Sequence, residues 1–163
     1  MRPLLLHPVL IGNGCGLPGL SRPSQLLVDV EIHPAGVFHV YNGSPCHNVL
    51  PDGAFLRWDV AAGLTGGRGG RLDSITTTFR DGSSGEVVQD YHLGAELIVQ
   101  KVGTSRLTPT TRLRLSLSTV IGTCVPIDYT RRGFSLTVVA HATDDRGETF
   151  VTEVGPLHAG PAR

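Results

Sequence analysis

Hydrophobic and polar residues alternate most regularly between Thr108 and Val154. Leu113, Leu115, Leu117, Thr119 and Ile121 interleave with Arg112, Arg114, Ser116 and Ser118, so a strand would gather the leucines on one face, which must be buried. Phe134, Leu136, Val138, Ala140 and Ala142 repeat the pattern, and Phe150, Thr152 and Val154 resume it after Asp144-Asp145-Arg146-Gly147. That punctuation predicts a hairpin whose glycine occupies a positive-φ position.

The same period recurs upstream. Leu26, Val28, Val30 and Ile32 alternate with Leu27, Asp29, Glu31 and His33, and His33-Pro34-Ala35-Gly36 predicts a turn with proline at its second position. Val37 to Tyr41 would return as a second strand, with turns at Asn42-Gly43 and Pro51-Asp52-Gly53. Ala54, Leu56, Trp58 and Val60 mark another strand. Ala61 to Gly70 holds five glycines and predicts a loop. Leu72 to Arg80 is a threonine-rich strand, joined through Asp81-Gly82-Ser83-Ser84-Gly85 to Glu86–His92, with a bend or bulge at Gly94 before a strand over Ala95–Val102.

About nine strands at roughly 8–14-residue spacing, with no convincing helical period, predict an all-β fold. The expected architecture is a single-domain antiparallel β-sandwich or jelly roll, or a small β-barrel. Residues 25–155 form the β domain, flanked by an extended Pro/Gly-rich arm over 1–24 and a C-terminal tail over 156–163. The arm carries Leu4, Leu5, Leu6, Val9, Leu10 and Ile11, too apolar for a disordered tail, and is expected to lie against the sheet or a neighbouring subunit.

Composition narrows the partners. The formal charge is zero, which removes any general attraction to nucleic acid or to an anionic membrane. Lys101 is the single lysine; the other basic residues are arginines, suited to bidentate or stacked contacts at an interface. Cys15, Cys46 and Cys124 are odd in number and lack metal-type spacing, so free thiols and a cytoplasmic setting are expected. Prolines and a histidine interrupt the apolar run Met1–Ile11, and no cleavage site of the small-x-small kind follows, so no secretory signal is expected.

Candidate chemistry is sparse. His33, His39, Cys46 and His47 are zinc-compatible residue types at a poor spacing, and no metal or cofactor is expected. Asp90 and His92 share one face of a strand, where the carboxylate could orient the imidazole if both faced a cavity; the favoured expectation is that they face solvent as ordinary surface residues. No G-x-S-x-G elbow is present, and prolines break the chain after Gly12-x-Gly14-x-Gly16 where a phosphate-binding helix would have to start. Arg112 and Arg114 form a positive strip opposite the leucines; a solvated sheet face explains it most simply, and a partner surface or the polar interior of a barrel is the sharper alternative.

No catalytic constellation stands out, and whether the protein is an enzyme is left open. The leading expectation is a non-catalytic binding or assembly module that meets a protein partner or a second copy of itself. The alternative is a small barrel around an apolar small molecule, a cyclase or isomerase acting by shape. The ligand-binding candidates are Trp58, Asp90, His92, Arg112 and Arg114. A cavity of several hundred Å³ lined by Trp58 and other aromatic residues would favour the barrel, and a filled core the binder.

Overall fold

Strands form wherever the two-residue period is strict, and each buries its apolar set against the opposite sheet. In the computed structural model, which describes residues 23–39, 52–82, 84–125 and 133–159, eight strands and one short helix follow in the order β1 (Leu26–His39), β2 (Asp52–Leu64), β3 (Gly70–Asp81), β4 (Val87–Gly94), α1 (Ala95–Val102), β5 (Arg106–Leu107), β6 (Leu113–Val125), β7 (Phe134–Asp144) and β8 (Thr149–Ala159). They make two antiparallel sheets. One has the order β1-β2-β6; the other runs β4-β3-β7-β8, with β5 added against β3.

The space between the sheets is filled. Leu56, Trp58, Val60, Ala62, Leu115 and Leu117 from the first sheet meet Leu72, Ile75, Phe79, Leu93, Leu136, Val138 and Ala140 from the second, all buried. Trp58 joins the sheets at its ring edges, packing T-shaped on Phe79 at 5.1 Å and on Tyr91 at 5.4 Å. Two side-chain bonds tie the flanks: Thr152 Oγ1 donates to the Leu26 carbonyl (2.6 Å), and Gln89 Nε2 donates to Thr119 Oγ1 (3.1 Å).

The β7–β8 hairpin is built as its sequence predicts. Gly147 sits at φ 83°, and the Asp144 carboxylate accepts the backbone N–H groups of Arg146 and Glu148, each at 2.9 Å. Arg68 adds a guanidinium at 3.2 Å. The bond from the Glu148 N–H, followed by those from Arg146 and Arg68, holds the Asp144 carboxyl below its ordinary value.

Four expectations are revised. Ala95–Val102 is a helix: Ile98 is buried and Val102 packs on the core one turn later, Glu96 and Lys101 complement the helix dipole, and Gly103 closes it at φ 79° with its N–H on the Val99 carbonyl. Leu26–His39 is one strand, because the Pro34-Ala35 segment makes a bulge between His33 and Gly36 instead of a turn. Proline is tolerated there because the bulge leaves Pro34 outside the β1–β2 register, and β1 pairs with no other strand among the described residues. β2 starts at Asp52 and continues through Ala61-Ala62-Gly63 to Leu64, so the predicted turn and the predicted loop both yield residues to it. β8 extends through Pro156 to Ala159, pairing Ser135 with His158, and takes in residues expected in a tail.

Residues 1–22 of the expected 1–24 arm, the Asn42-Gly43 turn, the thiols of Cys15 and Cys46 and His47 lie outside the described residues, as does the side chain of Cys124.

Candidate functional site

The outward face of β1-β2-β6 is organised in cross-strand rows fixed by register. Leu27 stands beside Gly63; Asp29, Ala61 and Arg114 form the next row; Glu31, Asp59 and Ser116 another; His33, Arg57 and Ser118 follow; and Phe55 beside Val120 ends the series. Alternation forces this, since the intervening Trp58, Val60, Leu115 and Leu117 are consumed by the core.

Small residues in the middle strand make a trough. A Cβ on Gly63 would come within 3.1 Å of Arg112 Cγ, a tight contact, so the glycine leaves room for the arginine to cross β2. Arg112 crosses to β1 and pairs with the Asp29 carboxylate. The cavity over this trough measures about 630 Å³, is open to solvent and is lined by Asp29, Glu31, Asp59, Arg112, Arg114 and Lys101 among others. Its acids come from β1 and β2. Its cations come from β6, the turn before it and α1.

Several of these charges are committed within the chain. Asp59 accepts the Ser116 hydroxyl on one oxygen and lies 2.9 Å from His33 Nε2 on the other. The Ser116 bond, then the His33 bond, hold its carboxyl below the ordinary value, with the His33 and Arg57 charges adding to the effect. Ser116, Asp59 and His33 are the residue types of a hydrolase triad in an order that cannot serve one. The serine proton points at the carboxylate, and the imidazole that would have to receive it sits on the far oxygen. By contrast, Glu31, Arg57, Arg114 and Lys101 make no ion pair with the described residues.

The five sequence candidates fall into three places. Arg112 and Arg114 line the trough. Asp90 and His92 stand together on the outer face of the other sheet, exposed, with His92 Nδ1 3.0 Å from Thr76 Oγ1. Trp58 is wholly buried, and its indole nitrogen has no hydrogen-bond partner among the described residues. Asp29, Glu31, Asp59, Lys101, Ala61 and Gly63 escaped the sequence reading. A signal for the last two existed: the alternation Leu56, Trp58, Val60 runs on through Ala62 and Leu64, which makes Ala61 and Gly63 outward strand positions. Among the described residues, no three histidine, cysteine, aspartate or glutamate side chains gather closely enough to hold a metal.

No protein-family model and no curated protein matches this chain. Among solved structures, it is similar to SoR45, a target of the Northeast Structural Genomics Consortium, at 15% identity and a TM-score of 0.55, over 86% of this chain and 89% of that one. It is also similar to a Bordetella pertussis protein assigned as ApaA, at 14% identity and a TM-score of 0.55, over 86% and 97% of the two chains. At these identities the likeness is one of fold, and it agrees with the all-β architecture. No helix among the described residues is long and apolar enough to cross a membrane.

Proposed function

We propose that this protein is a non-catalytic binding or assembly module that engages another protein through the outer face of β1-β2-β6. One observation carries the reading: the exposed cross-strand pair Phe55 and Val120, each 42% accessible, shares a face with a trough whose Glu31, Arg114 and Lys101 are unpaired among the described residues. A large exposed aromatic side chain with Arg57 in the next row is a combination enriched at protein interfaces. Trp58, Phe79 and Tyr91 fill the space that an apolar ligand inside a barrel would need, which supports the binder against the cyclase or isomerase reading. A cytoplasmic setting, expected from the cysteines, accompanies the proposal.

The test is selection of displayed peptides and small domains on the immobilised protein, followed by counter-selection on Phe55→Ser and Arg114→Glu. Binders that lose most of their affinity for both variants, while the variants keep the parent circular dichroism and melting temperature, support the face. Binders indifferent to both substitutions place recognition elsewhere and overturn the proposal.

A further inference from the structure

Resting on that reading, we infer that the partner on this face is a second copy of the chain, related by a two-fold axis running along β2. The charges carry the argument. The Arg112–Asp29 pair is closed within one copy and Asp59 lies on the middle strand; beside them the trough keeps Glu31 on its β1 side and Arg114 and Lys101 on its β6 and α1 side, without ion-pair partners among the described residues. Rotation about an axis along the middle strand lays the β6 side of one copy over the β1 side of the other. Opposite charges then meet twice, as an isologous interface requires.

The axis along β2 supplies what each copy lacks. Arg114 and Lys101 reach Glu31 of the other copy. On the axis Asp59 and Arg57 each face their own equivalent, and Arg57 offsets both contacts by crossing to the other copy's Asp59, one row away, about 7 Å along the strand and within reach of an arginine. Phe55 lies on the axis and meets its own equivalent, giving an aromatic contact at one end of the face. With zero formal charge, the chain carries no net repulsion against its own copy.

Area sets the strength. Three strands about 4.8 Å apart, with rows extending over roughly 26 Å, offer on the order of 400–500 Å² per copy. That is below the size of a standard stable interface, so the dimer forms and dissociates with concentration.

The experiment is sedimentation velocity on the full chain over a wide concentration range, with Glu31→Arg, Arg114→Glu and an equimolar mixture of the two. Wild type should show a reversible monomer–dimer shift. Either single variant should weaken the dimer by about tenfold or more, and a tenfold change is readily resolved. Mixing the variants should restore dimers. In the mixed pair the two substituted side chains face each other with their charges exchanged, while the native Arg114 of one copy still meets the native Glu31 of the other. Wild type monomeric throughout, or variants that dimerise as well as wild type, overturns the inference. If wild type is monomeric while displayed binders still depend on Phe55 and Arg114, the face stands and only its self-partnering fails.

Discussion

The outer faces of the two sheets obey one alternation and present opposite chemistry. On the five-stranded sheet, Thr78 stands between Asp90 and Thr137 in register, and Thr76 Oγ1 lies 3.0 Å from His92 Nδ1, so short polar residues meet neighbours on the same surface. On the three-stranded sheet, Ala61 and Gly63 lower the centre, Arg112 crosses it to Asp29, and Arg114, Lys101 and Glu31 stand around it without ion-pair partners among the described residues. Short side chains spend their bonds within the sheet, whereas long charged ones around a depression extend to whatever lies above it. Burial rules decide which residues face outward, and the lengths of those residues decide whether a face is merely solvated or able to bind.

The strongest way to break this contrast is to remove what both faces stand on. Trp58→Ala should cost about 3–5 kcal/mol, because it deletes the side chain that spans the sheets, and both faces should lose definition together. Urea unfolding monitored by circular dichroism measures it; a loss below about 1 kcal/mol would mean that the sheets hold together without the indole.

A smaller effect separates the hairpin from the faces. The Asp144 carboxyl lies below its unfolded value, so the stability it lends is complete above the ordinary carboxylate range and is lost as pH falls through the folded value. Asp144→Asn should therefore be less stable than wild type at neutral pH, and the gap should close on acidification. A gap independent of pH would show that the carboxylate charge is not what ties the turn.

The smallest effects sharpen the contrast itself. Arg114→Glu and Thr78→Ala should each shift stability by less than about 0.5 kcal/mol, since both residues are surface positions outside the core. Only the first should alter association. Equal consequences for binding from the two would erase the distinction between the faces.

Much of the fold could be read from the chain because the period of two is strict in β6, β7 and β8, where the expected leucines, Phe134 and Val138 are buried or nearly so. Leu115 and Leu117 are buried, and Leu113 packs at the core margin. The helix was hidden by length: over eight residues, with Leu97 and Val99 apolar but exposed, the one-turn spacing of Ile98 and Val102 barely registers. Pro34 misled because turn and bulge draw on the same residues, and only knowledge that β1 is an edge strand distinguishes them.

The site was legible by halves. Arg112 and Arg114 follow from alternation within one strand. Asp29 and Glu31 join them only through the register of β1 on β2 and of β2 on β6, and no local pattern records that pairing.

The pairing of β6 with β2 has a kinetic consequence. β3, β4, α1 and β5 all intervene in the chain between those two strands, so the loop that their pairing closes is long, and non-local pairings of this kind form slowly. Until β6 arrives, β2 offers a bare edge, and the basic half of the trough is absent from the nascent domain. A growing chain on the ribosome thus displays the acidic strands first and acquires its complementary cations last. The two halves of the face are therefore joined only when this long-range closure is made.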